Sequence, residues 1–340
     1  MESGRDTVRL AVIGCGGIAQ HQLNSVWDLG RFELVAGADI RPGQLELFTE
    51  KFGLQRGYAD YREMLAKESG NLDAVMVCTP TFLHAEHTIA AAEAGLPVFC
   101  QKPMAMNSYD CYKVMRACDA AGVSLQIGFV RRFDTDWGTL KRVIESGRLG
   151  APVLWRQTAG GPGPRRPFFM DKFEGGGPMI DGMVHNYDFA AYCFGEPVEV
   201  KSMPIRIHKS TTAWDTGTVL VRFERGDTIM CSWSWGLPPG VSTPGRTEVL
   251  GPNGVLYFPG SYDPAKVRDR IDPEHEGAYL LVLEGGKEEV VPFKKQNMFR
   301  EEMKHFADWV LHGGRPRVGG QAGLRAVRVA ELALSGGGLV

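Results

Sequence analysis

At 340 residues the chain is too long for a single compact core and predicts two domains. Its 44% hydrophobic and 23% charged content is that of a soluble globular protein, and a net charge of -2 offers no basis for binding nucleic acid or an anionic membrane. The polar residues 1–9 lead directly into the apolar Leu10-Ala11-Val12-Ile13, too short for a signal segment, and no apolar run approaches the roughly 20 residues that span a bilayer.

From Val8 to about Gln126, short β-branched runs alternate with amphipathic stretches. Strands are predicted at 8–13, 33–39, 74–78, 98–100 and 124–128, with helical periods such as 81–94 and 108–121 between them. That alternation marks βαβ units and a doubly wound parallel sheet, covered on both faces. The first strand runs into Gly14-Cys15-Gly16-Gly17-Ile18-Ala19, a G-x-G-x-x-A placed where a dinucleotide-binding turn belongs. Gly14 permits the tight turn, Gly16 lets backbone approach a pyrophosphate, and Ala19 lets the next helix pack closely. Asp39 ends the second strand, followed by Ile40 and Arg41. A carboxylate there accepts from an adenosine ribose and repels a 2′-phosphate, which favours NAD over NADP; Arg41 weakens that preference, since an arginine nearby could instead stack on adenine or meet a 2′-phosphate.

Cys78-Thr79-Pro80 closes a third strand, where open α/β sheets bind ligands, and His84 follows one turn into the helix beyond. His84 reads equally well as a cofactor-side group or as a partly exposed helix residue. Next, Cys100-Gln101-Lys102-Pro103 sets a lysine directly after an apolar strand. An ammonium in a crevice needs a carboxylate, a cofactor or a substrate as partner, because desolvating it alone is costly.

After Gly150 the composition changes, with Gly160-Gly161-Pro162-Gly163-Pro164 followed by long alternating runs at 198–208, 216–223, 228–235, 246–250 and 279–283. Short turns at Arg225-Gly226-Asp227 and Glu284-Gly285-Gly286 read as hairpins, so an α+β domain on a large, mostly antiparallel, open-faced sheet is expected. Helical periods at 298–311 and 321–334 close the chain. The expected domains are 1–126 and 127–340, with the terminal helices of 298–335 packing back on the first. A flexible glycine run, Gly175-Gly176-Gly177, precedes a helical period that sets Asp181 and His185 at i and i+4, one turn apart. A histidine can take the proton of a substrate hydroxyl while a carboxylate orients it; an ordinary helix-capping pair is the alternative. Asp188 is a possible second neighbour. The seven cysteines (15, 78, 100, 111, 118, 193, 231) form no C-x-x-C pair and read as buried thiols of a reducing cytoplasm. No clustered metal-ligand spacing occurs among them and the eight histidines, so no metal is expected.

Taken together, these pieces resemble the Gfo/Idh/MocA oxidoreductases, named for glucose-fructose oxidoreductase and inositol 2-dehydrogenase, over essentially the full length. The resemblance rests on the Gly14 turn, Asp39, the run from Asp73 to His84, the Lys102-Pro103 step, the Gly175 to His185 segment and the two terminal helices. It implies Lys102, Asp181 and His185 as a catalytic trio, with Thr79, Pro80, His84, Gln101 and Lys102 on the cofactor side. The family's usual Glu-Lys-Pro is here Gln101-Lys102-Pro103, which removes one counter-charge from near the lysine. Gly128-Phe129-Val130-Arg131-Arg132-Phe133-Asp134 is similar to the matching segment of inositol dehydrogenases, so Arg131 and Arg132 are candidates for a polyol pocket or, alternatively, for an interdomain salt bridge. Phe168, Trp233 and Trp235 are aromatics that could face a sugar ring or serve the core. The implied activity is NAD-dependent hydride transfer at a secondary hydroxyl of a sugar, sugar derivative or cyclitol, in a homodimer or homotetramer built through the C-terminal sheet. An NAD-dependent glycosidase working through transient oxidation, or a non-catalytic NAD-binding regulator, are the alternatives within similar folds.

Overall fold

The structure, a computed structural model, describes residues 6–208 and 211–340; the opening residues of the polar 1–9 stretch, up to residue 5, lie outside the described residues. The chain divides into two compact units, Met1–Val130 with Asn297–Val327, and Arg131–Gln296 with Arg328–Val340.

In the first unit the elements alternate: β1 (Val8–Ile13), α1 (Gly17–Asn24), β2 (Phe32–Ala38), α2 (Pro42–Phe52), β3 (Arg56–Tyr58), α3 (Tyr61–Glu68), β4 (Ala74–Val77), α4 (His84–Glu93), β5 (Val98–Cys100), α5 (Ser108–Ala121) and β6 (Leu125–Ile127). Among the described residues the six strands form one parallel sheet in the order β3-β2-β1-β4-β5-β6. Helices on both faces explain why β4, β5 and β6 are buried throughout and read as continuous apolar runs. The strand order reverses between β1 and β4, the switch point outside which such sheets bind ligands. Helix ends follow local chemistry. Asn107 caps α5 by accepting from the Asp110 amide at 2.8 Å, and Gly122, at φ +67°, ends it.

The second unit carries α6 (Thr135–Glu145), β7 (Leu154–Gly160), α7 (Val184–Phe194), β8 (Pro197–Ile205), β9 (Thr216–Phe223), β10 (Thr228–Ser234), β11 (Thr243–Gly251), β12 (Gly254–Tyr257), α8 (Ala265–Arg268), β13 (Gly277–Leu283) and β14 (Glu288–Phe293). With β15 (Gly337–Leu339), nine strands among the described residues form one sheet, ordered β14-β13-β12-β11-β7-β10-β9-β8-β15. Every pairing is antiparallel except β7 with β10. Val219, Val221 and Phe223 on β9 and Ile229 and Cys231 on β10 point to the buried face, the period-2 pattern visible in the sequence. Trp155 on β7 packs among Trp137, Phe189 and Phe258, with ring centroids 5.7 to 6.3 Å away.

The chain closes with α9 (Met298–His312) and α10 (Gly320–Leu334). Helix α9 belongs to the first unit: Phe306 packs against Phe32 and Phe99, and Trp309 Nε1 donates to Gln126 Oε1 at 2.6 Å. Gln22 of α1 donates to the fully buried Glu302 at 3.0 Å, and burial pushes that carboxyl up to about 8. The residues of α10 through Val327 belong to the first unit and those from Arg328 to the second.

Candidate active site

At the end of β1 the backbone turns through Gly14 at φ +89°, a conformation that only glycine adopts without strain. A Cβ on Gly14 would lie 2.7 Å from the Thr79 amide nitrogen, so the same glycine also lets β1 close against the turn after β4. Gly16 is the N-cap of α1 and has no side-chain cap bond, which leaves the first N–H groups of the helix available to an anion. Gly17 opens α1 with open space where a Cβ would stand, Ile18 is exposed, and Ala19 is fully buried under the helix. Asp39 follows β2, is buried, and accepts from Arg41 three times: from the backbone N at 2.9 Å, from Nε at 3.0 Å and from Nη2 at 3.1 Å. Arg41 is therefore tied to the carboxylate it was expected to oppose. Ile40 between them is 85% exposed.

Thr79 and Pro80, both half-buried, form the turn after β4, and His84, only 2% exposed, begins α4. Its Nδ1 lies 2.7 Å from the Pro103 carbonyl and its Nε2 2.8 Å from the Thr79 carbonyl, so the ring spans the turns after β4 and β5. The Thr79 hydroxyl meets His87 Nδ1 at 3.1 Å. Gln101 is buried against Gly128, and its amide Nε2 has no hydrogen-bond partner among the described residues. A buried donor of that kind is costly unless something accepts from it. Lys102, half-buried, follows at the carboxyl edge of the sheet. A glycine that fills the turn, uncapped helix N–H groups, a carboxylate after β2 and an orphaned amide after β5 together fit a dinucleotide.

In the second unit the glycines before Asp181 are close-packed, which corrects the expectation of a flexible run. A Cβ on Gly175 would meet the Phe169 Cα at 2.5 Å, and one on Gly177, at φ +78°, the Trp214 carbonyl oxygen at 2.5 Å. Asp181 lies in a π-helical turn, Pro178–Gly182, and is buried; His185 stands half-buried on the first turn of α7. The Met183 amide reaches back to Pro178, whereas the Tyr187 amide bonds Met183 in α-helical fashion. The expected i, i+4 pair is thus carried on a backbone that changes from π to α between its members, a wide turn that recurs at functional sites. Trp233 and Trp235 pack on this turn, since a Cβ on Gly182 would meet their rings at 2.9 and 3.0 Å. Phe168 stacks on Phe169.

Arg131 Nη1 donates to Asn186 Oδ1 at 2.7 Å, and its guanidinium lies 4.3 Å from the Trp137 ring centroid. Burial lowers its pKa to about 10, so it stays charged at neutral pH. Asn186 in turn donates to Gln157 of β7. Arg132 pairs with Asp188 through Nε at 2.9 Å and Nη2 at 2.5 Å, in a bidentate contact with side chains 8% and 2% exposed. Both partners belong to the second unit, so this bridge lies within one unit. Removing one member of such a pair strands the other charge, typically at about 3–5 kcal/mol. Asn186 and Gln157 escaped sequence reasoning, because a lone amide in a helix or strand carries no spacing signal. Among the described residues one trio, Asp272, Glu274 and His275, brings three donor atoms within 4.8 Å, but Glu274 already accepts from Lys294 at 2.7 Å. No helix among the described residues is long and apolar enough to cross a membrane.

Comparison with known proteins gives two family matches. Residues 8–129 match the model described as "Oxidoreductase family, NAD-binding Rossmann fold", and residues 137–257 that of the "GFO/IDH/MocA C-terminal domain". The chain is 30% identical over 333 residues to a myo-inositol 2-dehydrogenase of Thermotoga maritima, covering 96% of this chain and 95% of that one. It is 29% identical over 321 residues to a scyllo-inositol 2-dehydrogenase (NAD(+)) of Bacillus subtilis, covering 92% and 88%. Among solved structures, a probable dehydrogenase from Thermotoga maritima is similar with a TM-score of 0.75 and 28% identity, over 98% of each chain.

Proposed function

Because the chain belongs to the Gfo/Idh/MocA family of NAD-dependent oxidoreductases, we propose that it oxidises or forms a secondary hydroxyl of a cyclitol, sugar or sugar derivative, with Lys102, Asp181 and His185 as its catalytic groups. The observation that carries this reading is the carboxyl edge of the parallel sheet, where the Gly14 turn and Thr79 follow β1 and β4 at the topological switch point and Lys102 follows the adjacent β5. NAD supplies the hydride acceptor at its nicotinamide when bound. His185 takes the hydroxyl proton as general base, Asp181 orients it and steadies the imidazolium, and the Lys102 ammonium stabilises charge developing on the alkoxide oxygen. Inositol and sugar dehydrogenases among the relatives support the substrate class. The test is a panel of cyclitols and sugars offered with NAD and with NADP while the reduced cofactor is followed by absorbance. A glycoside that releases its aglycone without net reduced cofactor, or NAD binding with no substrate turned over, would replace this reading.

Cofactor choice gives a first expected result. NAD should bind more tightly than NADP, and Asp39→Ser should narrow that gap by on the order of tenfold, about 1.4 kcal/mol. The substitution removes both the ribose acceptor and the carboxylate that holds Arg41, freeing a guanidinium for a 2′-phosphate. Calorimetry in which the unaltered protein prefers NADP would overturn the assignment.

We further infer a homodimer or homotetramer through the large sheet. Leu220, Met203 and Ile205 lie on its outward face beside the hydroxyl pairs Thr216–Ser234 and Thr218–Ser232, and Met203 is 73% exposed. Exposed apolar side chains on an open sheet face favour burial against a second copy. A monomer mass by light scattering at micromolar concentration would contradict this. The free thiols of all seven cysteines are buried, in keeping with a reducing cytoplasm as the working compartment.

A further inference from the structure

His84 lies with each ring nitrogen at hydrogen-bond distance from a backbone carbonyl. Neutral imidazole has one N–H and one bare nitrogen, and a carbonyl oxygen can only accept. Yet the Pro103 carbonyl lies 2.7 Å from Nδ1 and the Thr79 carbonyl 2.8 Å from Nε2. In either neutral tautomer one nitrogen lone pair would face a carbonyl lone pair at hydrogen-bond distance, a repulsion within a buried site. Only the imidazolium donates to both.

We propose that His84 is a protonated clamp that ties the turn after β4 to the turn after β5 and thereby positions Lys102, whose role rests on the functional reading above. Pro103, whose carbonyl the ring holds, directly follows Lys102, so the clamp restrains the backbone from which the lysine side chain starts. A cation at the first residue of α4 is disfavoured by the helix dipole and by burial. Two short charge-assisted bonds to carbonyls offset those costs, as such bonds are roughly twice as strong as neutral ones. The ionisable groups on the elements packed around it are Glu86, His87 and Glu93 on α4, Cys78 after β4, Cys100 and Lys102 at the end of β5, Tyr61, Arg62, Glu63, Lys67 and Glu68 on α3, and Tyr109, Asp110, Cys111, Tyr112, Lys113, Arg116, Cys118 and Asp119 on α5. Burial pushes His87 down to about 4, against the opposing pull of Glu86. A neutral His87 then shares a hydrogen bond with the Thr79 hydroxyl, so the turn is held at its carbonyl by one histidine and at its side chain by the other.

The decisive measurement is nitrogen-15 NMR of the full chain with labelled histidine, at about pH 8, well above the ordinary histidine pKa of about 6.5. The signal lost in His84→Gln should report protons on both ring nitrogens; one protonated and one bare nitrogen would overturn the clamp. If His84→Gln does not fold, the signal is identified in the unaltered protein by its nuclear Overhauser contacts to Pro103 and Thr79. Kinetics test the positioning role. His84→Gln should lower kcat by about tenfold or more with NAD affinity little changed, and should cause no further loss in a Lys102→Met background, as coupled residues behave. A full additional loss in that background would mean that His84 does not act through Lys102. If Lys102→Met itself keeps kcat intact, the catalytic reading of Lys102 falls, and the positioning role with it, while the NMR result still decides the protonated clamp.

Discussion

His185→Ala is expected to cut turnover by about 10²-fold or more while leaving NAD affinity nearly unchanged, the usual range for a positioned proton-transfer group. The expectation starts from local backbone. Gly175 and Gly177 are pinned where no Cβ fits, and they feed a π-helical turn that carries Asp181 into the first turn of α7, where His185 stands. Trp233 and Trp235 also pack on that turn, the kind of support a positioned proton-transfer group needs. His185 is half-buried, so the melting temperature should move less than turnover does. Turnover in His185→Ala equal to that of the unaltered enzyme would remove this residue from the mechanism.

Lys102→Met should lower kcat by more than it raises KM, with a loss on the order of 10²–10³-fold, the scale for removing one donor to a developing oxyanion. Methionine keeps much of the stem and removes the charge, so the change reads the electrostatic contribution rather than packing. Gln101, the neighbouring side chain, is neutral and cannot replace the ammonium. Lys102→Arg should recover little, since a planar guanidinium does not occupy the position of a compact ammonium. An intact kcat with a lowered melting temperature would instead make Lys102 a structural residue at the end of β5.

Much of the frame was legible because its causes are local. Helix α5 was predicted at 108–121 and is observed there, since Asn107 and Gly122 supply its cap and stop within the segment itself. The hairpin turns at residues 225–227 and 284–286 join β9 to β10 and β13 to β14, as their glycines required. Strand β3 was missed because its three residues are exposed or half-buried and carry no apolar pattern. Strand β7 was missed for a different reason: Leu154-Trp155-Arg156-Gln157-Thr158-Ala159-Gly160 mixes apolar and polar types, yet it lies near the middle of the large sheet, parallel to β10 and antiparallel to β11. Its identity as a strand is set by partners 74 to 96 residues away, a range over which periodicity is silent.

The site divides along the same line. Residue type and spacing singled out Gly14, Asp39 and Thr79 for a phosphate-binding turn and a ribose acceptor, and left Asp181 and His185 readable as a helix-capping pair; the family resemblance was needed to imply Lys102, Asp181 and His185 as a catalytic trio. Only the tertiary structure decided how those groups are held. It tied Arg41 to Asp39, gave Arg132 to Asp188, close-packed Gly175 and Gly177 ahead of a π turn, and set both nitrogens of His84 at hydrogen-bond distance from backbone carbonyls. Hydrogen bonds and ion pairs depend on distance and direction in space, and for side chains as far apart in the chain as Arg132 and Asp188 those are settled when the elements pack, not by the residues that flank them.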